Sequence, residues 1–294
     1  MSKLLIEHKD AIIELCGSLS AKSTSIEKLR LKQYEDNVAY PDLNCFYAPF
    51  EYINKDAKIV LIGITPGRTQ MNEALIAASA ALKKYDIEEA KLEIKKRASF
   101  SGDLRKNLIN ILNKVGYQKK LGIGCSSELW ADKNDLVHFC SLLKYPVFIK
   151  NNANYNGSPK PLSVPKLKAL IEDGLIKELE SLSEDAELIP LGDKVADVIS
   201  QLYKDGKIRQ KVHFTKDDLI ISPPHPSPAN KESINLLLKD NFPKKEEYSQ
   251  GMYKIYKESK KEKETIMKKD RYIGTRESRW QAVSRMRKYY KIDA

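Results

Sequence analysis

The 294-residue chain is poor in cysteine. Its four cysteines (Cys16, Cys45, Cys125 and Cys140) are widely scattered, and no C-x-x-C pair is present. That pattern excludes a disulfide framework and reads as buried thiols. Without a close pair to form half of a site, no metal or iron–sulfur cluster is expected, nor any other cofactor. Long hydrophobic runs are also missing. No stretch reaches the roughly 18 apolar residues that a membrane span needs, so no membrane association is expected. The first residues, Met1–Glu7, lack the apolar core and small-residue cleavage site of a signal peptide. A cytoplasmic monomer is therefore expected.

Charge is present in excess, and it is unevenly placed. The chain carries +11, and 41% of its residues are hydrophobic, enough to bury a full core. From Lys231 to Ala294 there are 18 Lys and Arg against 10 Asp and Glu, so +8 of the total sits in the last 64 residues. A basic end on a nearly balanced body suits a polyanion, most simply single- or double-stranded DNA. A solvated, charge-rich helix has the same composition.

Four short apolar segments bounded by turns read as buried strands: Lys58–Ile64, Pro146–Lys150, Glu187–Leu191 and Leu219–Ser222. Helical patterns lie between them at roughly 70–95, 103–115, 164–182 and 193–204, and a short helix precedes them at 3–16. This alternation predicts an α/β fold, a three-layer αβα sandwich around a central, mainly parallel four-stranded sheet. Residues 1–240 are assigned to that domain. The Ala-, Glu- and Lys-rich stretch 70–98 reads as a helical insertion able to cover the site. Residues 241–294 read as a basic, helical extension. Its aromatics, from Tyr248 to Tyr290, can stack on bases or dock the extension on the core.

Two loops carry the chemistry. Gly63-Ile64-Thr65-Pro66-Gly67 follows the first strand and His225-Pro226-Ser227-Pro228-Ala229-Asn230 follows the last. Loops after parallel strands gather at the carboxyl edge of the sheet, where ligands bind. Gly63 permits close backbone approach, Pro66-Gly67 makes a tight turn, and Thr65 offers a hydroxyl. Arg68 stands where a phosphate-binding Walker loop needs its second glycine. In the second loop the prolines limit the entropy lost on binding, His225 can donate to an anion, and Ser227 can donate to a phosphate.

Together these pieces resemble the uracil-DNA glycosylase superfamily. The first loop is similar to the Gly-Ile-Asn-Pro-Gly of its mismatch-specific branch, and the second to its His-Pro-Ser-Pro motif. Ala98–Gly102 resembles the segment whose Phe stacks on the extruded base. Val147–Asn151 resembles the strand ending in an Asn that reads the pyrimidine edge. Leu191-Gly192 loosely matches a strand–helix junction of that fold. The resemblance covers about residues 45–235, in the family order. It implies a monofunctional DNA glycosylase acting on a flipped base and leaving an abasic site. It assigns substrate contacts to Gly63, Phe100 and Asn151, and contacts to the DNA backbone to Gly67, Ser227 and Pro228. It makes His225 the donor to the departing base anion and Thr65 the residue that orients water.

One departure is specific. The family places Asp or Asn where this chain has Thr65, and a hydroxyl is a poor base near neutral pH. Asp103 is a candidate substitute. The altered loop, the 70–98 stretch and the basic end favour an unusual base, as in modified phage DNA. Two other readings stay open: a catalytically silent DNA- or modified-base-binding module of the same fold, and a nucleoside-acting α/β hydrolase.

Overall fold

The apolar run after Lys58 forms the spine of the fold. In the computed structural model, which describes residues 3–17, 26–35, 39–215, 218–248 and 269–292, the strand Ile59–Gly63 is buried at every position. A strand covered on both faces reads as a continuous apolar run, without polar alternation. The strands in chain order are β1 (Asn44–Cys45), β2 (Ile59–Gly63), β3 (Val137–Ser141), β4 (Val147–Ile149), β5 (Ala153–Asn154) and β6 (Glu187–Pro190). The helices are α1 (Lys3–Glu7), α2 (Lys9–Gly17), α3 (Arg68–Ala81), α4 (Ile87–Ala98), α5 (Asp103–Lys114), α6 (Tyr117–Lys120), α7 (Pro165–Ile171), α8 (Lys177–Glu180), α9 (Asp193–Lys204), α10 (Lys231–Leu238) and α11 (Lys269–Tyr289). A π-helical turn over Glu172–Ile176 joins α7 to α8.

The fold is mixed α/β, with two small sheets of three strands each. One is parallel, in the order β3-β2-β6, with Ile59 opposite both Val137 and Glu187. The other is antiparallel, in the order β1-β4-β5. Successive side chains of β2 feed different cores, as period two demands. Val60 and Ile62 pack into one core with residues of α3, α4, α7 and α9. Ile59 and Leu61 pack into another with residues of α5, α10 and α11.

The strand assignments need two corrections. Pro146–Lys150 does not join the parallel sheet: its Val147–Ile149 pairs antiparallel with β1 and β5. Leu219–Ser222 forms no ladder, and Ile220 makes an isolated bridge to Phe214. The strand of the parallel sheet missing from the sequence reading is β3; the short β1 and β5 are missing as well. The β3 run is interrupted by His138, which is nonetheless 1% exposed. The interior accepts this imidazole because both nitrogens are partnered. Nδ1 accepts the Asn54 N–H at 3.3 Å, and Nε2 lies 2.8 Å from Glu178 Oε1. Lys95 donates to the same oxygen at 2.9 Å and to the carbonyls of Phe50 and Tyr52. Burial opposes the charge on Glu178, yet Lys95, Lys144 and His138 hold its pKa well below the usual carboxylate range.

The 70–98 stretch is a helical hairpin rather than a cover. α3 and α4 pack into the first core, and Asp86 caps α4 by accepting from the N–H groups of Glu88 and Glu89. The hairpin carries the chain from Gly67 back to Phe100. The C-terminal helix is likewise integrated. Val283 and Met286 are buried in the second core, and Arg287, 1% exposed, donates to the carbonyls of Leu237 and Lys239 at the end of α10. Three of the described rings dock it: Trp280 donates to the Pro243 carbonyl, Tyr290 packs on Tyr117, and Tyr289 packs on His213. Tyr253, Tyr256 and the side chain of Tyr272 lie outside the described residues.

Candidate functional site

The carboxyl edge of the parallel sheet opens into a cavity of about 630 Å³. Ligand pockets span roughly 300–1,000 Å³, so it has room for a small organic molecule or an extruded nucleotide. The three strands end side by side at Gly63, Ser141 and Pro190. Beyond the ladder, Leu142 N–H donates to Gly63 O, Leu191 N–H to Ile62 O, and Gly192 N–H to Pro223 O. The last bond ties the junction after β6 to the His225 loop. Both motif loops and Phe100, far apart in sequence, therefore line one cavity.

His225 forms part of the wall. Its Nδ1 accepts the Ser227 N–H at 3.2 Å, which leaves the proton of a neutral ring on Nε2. Burial lowers its pKa to about 4, so the imidazole is uncharged near neutral pH. Gly192 stands directly behind it with φ 88° and ψ 158°. A Cβ there would lie 2.9 Å from His225 Cβ and 3.3 Å from its backbone nitrogen. Asn107 further fixes the loop by donating to Pro226 O at 2.8 Å.

Phe100 is 4% exposed and has φ 51°, a left-handed conformation rare for an aromatic residue. The surroundings hold it there. Its N–H donates to Gln70 Oε1 at 2.7 Å. Arg105 donates to the carbonyls of Lys96, Arg97 and Ser99, and the Trp130 indole donates to Ser99 O. The ring lies against Gly63, where a Cβ would come within 3.3 Å of Phe100 Cε1. Gly63 thus lets a strand end pass close to the Phe100 ring.

Thr65 reaches the cavity, but its hydroxyl is engaged. It donates to Tyr145 O at 2.9 Å and accepts the Val147 N–H at 3.1 Å. That pair staples the first loop to the start of β4 and commits the hydroxyl proton. Gly67 lines the cavity beside Asn154, whose Oδ1 accepts the Arg68 N–H at 2.9 Å. Ser227 also lines it and caps a short turn, accepting the Ala229 N–H, while Pro228 is exposed on that turn outside the cavity.

Asn151 does not reach the cavity. It is an exposed turn residue between β4 and β5 with φ 59°, a conformation that Asn tolerates. The reason is the register: with Val147–Ile149 in the antiparallel sheet, its end points away from the carboxyl edge. Ser141, at the end of β3, takes the place beside Gly63, and Asn154 lies on the wall near Gly67. Both were missed. Locating β3 from Val137, Phe139 and the polar Ser141 would have found the first. Asp103 is exposed at the start of α5 and does not line the cavity either. The far wall is α11, which contributes Arg279, Ala282 and Met286. Arg279 is ion-paired with Glu232 of α10.

No family model matches the chain, and no solved structure does. The uncharacterized protein YoxB of Bacillus subtilis (strain 168) is 32% identical over 229 residues, spanning 77% of this chain and 84% of YoxB. The chain belongs to the YoxB family. The alignment covers most of both proteins, so this YoxB-family chain is matched well beyond its motif loops. Among its described residues, no group of three or more His, Cys, Asp or Glu is placed to hold a metal ion. Cys45 and Cys140 are buried free thiols and Cys125 is half-buried; the Cys16 side chain lies outside the described residues. No described helix is long and apolar enough to cross a membrane.

Proposed function

We propose that the chain is a DNA glycosylase that hydrolyses the N-glycosidic bond of an extruded, uracil-like or modified base. The observation that carries this reading is the state of His225. A neutral imidazole with its proton on Nε2 lines a cavity that an aromatic residue, Phe100, also lines. Breaking a base–sugar bond leaves negative charge on the base. A neutral donor stabilises that charge as it develops and is not tied up by a counter-ion beforehand. Phe100 would stack on the base, with Ser141 and Asn154 as the polar groups nearest its edges. The helix starts at Gly67 and Gly192 and the Ser227 turn would face the DNA backbone.

The same reading supplies the finer architecture. The parallel sheet with helices on both faces is a three-layer sandwich whose fourth strand place is filled by two partial contacts. Lys211 exchanges backbone hydrogen bonds alongside β6, and Pro223 O accepts from Gly192.

The test is to incubate the protein with single- and double-stranded oligonucleotides carrying uracil, hypoxanthine or 5-substituted pyrimidines, then to cleave abasic sites with alkali. Strand breaks are expected, reduced about 100- to 1000-fold in His225→Ala, the usual cost of removing one such donor. The engaged hydroxyl of Thr65 favours a second reading, a binding module of the same fold. DNA binding without base release across the panel would establish that reading instead. Release from free nucleosides but not from DNA would place the activity on small molecules.

A further inference from the structure

The glycosylase reading leaves the attacking water without a base. The Thr65 hydroxyl donates its hydrogen bond to Tyr145 O, and Asp103 lies outside the cavity. Among the described residues, one carboxylate lines the cavity: Asp193. It opens α9, directly after Gly192, whose backbone packs against His225. The hydrogen bond from Gly192 N–H to Pro223 O fixes these two loops to each other. Asp193 and His225 are thereby held on adjacent parts of one wall, with Phe100 and Gly63 on another.

The charged groups around it leave Asp193 available. Lys194, its neighbour on α9, donates to Asn156 O at 2.9 Å and Ser158 Oγ at 3.1 Å. Arg279, across the cavity on α11, is paired with Glu232. His225 is neutral. A carboxylate at a helix start is ordinarily a stabilising feature and nothing more. Here it is also, among the described residues, the one acidic residue that lines the cavity holding His225.

We propose, resting on the glycosylase reading, that Asp193 binds and deprotonates the water that attacks the sugar. The C1′–N bond breaks and its electron pair leaves on the base, where the Nε2–H of His225 stabilises it. The water oxygen bonds to C1′ and one water proton passes to the Asp193 carboxylate. That proton is returned to solvent, and the base anion takes one from solvent. The products are the abasic sugar and the neutral base. Two groups on one wall thus divide the work, His225 serving the leaving group and Asp193 the nucleophile.

The experiment is single-turnover base release by the full chain on whichever oligonucleotide of the panel the wild type cleaves, with DNA affinity measured in parallel. Asp193→Asn is expected to lose about 100-fold or more in rate, the usual range for a general base, with affinity unchanged within about threefold. Asp193→Ala is expected to recover activity with added formate, which restores a carboxylate in the vacated space; a helix-stabilising role would not respond to formate. Wild-type rates in Asp193→Asn, or an Asp193→Ala loss that formate leaves untouched, would overturn the role of Asp193 while the glycosylase reading stood. No release by the wild type on any substrate would overturn both.

Discussion

Gly192 offers the sharpest test of how the fold holds its site. Its φ of 88° and ψ of 158° lie in a region essentially reserved for glycine. A Cβ there would meet His225 Cβ at 2.9 Å and its backbone nitrogen at 3.3 Å, so the collision is partly with main chain that no rotamer change can relieve. Gly116 is the internal control. It also has positive φ, at 86°, but a Cβ there meets nothing within 4 Å. Ala at Gly116 should cost about 1–2 kcal/mol from the left-handed backbone alone. Ala at Gly192 should cost about 1–3 kcal/mol for strain and about 1–3 kcal/mol more for overpacking. The entropy that Ala removes from the unfolded chain is common to both and cancels in the comparison. Urea unfolding of the two variants should therefore separate them by about 2–3 kcal/mol at the middle of these ranges. The Gly192→Ala variant should also lose base release, because the His225 loop must move, whereas Gly116→Ala should keep it. Equal stability losses, or full activity in Gly192→Ala, would refute the claim that this glycine sets the position of His225.

Two further outcomes follow from the same contacts. Thr65→Val removes the acceptor for the Val147 N–H and the donor to Tyr145 O; urea unfolding should show a loss of about 1–3 kcal/mol, the cost of unpaired buried polar groups. Its base-release rate should stay within about tenfold of the wild type, and a larger loss without destabilisation would return the water to Thr65. The second outcome concerns pH. Burial lowers the pKa of His225 from 6.5 to about 4, so the unfolded chain binds its proton first as pH falls. The contribution is fully present above pH 6.5 and is lost as pH drops toward 4. Within that window His225→Gln should flatten the stability-against-pH slope by up to about 1.4 kcal/mol per pH unit; an unchanged slope would show that the ring is not held neutral.

The sequence disclosed the parts of the fold whose local pattern and tertiary setting agree. Ile59–Gly63 and Glu187–Pro190 are apolar and flanked by turns, and they are strands of the parallel sheet. The helical periods at 103–115 and 193–204 match α5 and α9 within a residue or so. β3 was illegible because its stability comes from elsewhere. His138 reads as polar in sequence, and only Asn54 and Glu178, 84 and 40 residues away, make it a core residue. Val147–Ile149 was misplaced for the converse reason: an apolar run has no intrinsic partner, and β1 claimed it. The resemblance that assigned Asn151 rested on that segment, and Ser141 was passed over with β3.

The motif loops and the chemistry stand in a similar relation. A motif identifies side chains by their spacing, but the partners of each side chain decide what it can do. His225 keeps a donor free because a backbone N–H two residues away occupies its other nitrogen, an arrangement local enough to be encoded in the loop. Thr65 loses its donor to Tyr145 O, 80 residues distant, which no local pattern discloses. Asp193 has the opposite history. In sequence it is an ordinary helix-opening acid, and it acquires a candidate role because Gly192 brings the start of α9 against His225. Chemistry is legible in advance where a residue's partners are near in sequence, and it must be read from the fold where they are far. The far partners here bring the start of α9, with Asp193, against the His225 loop.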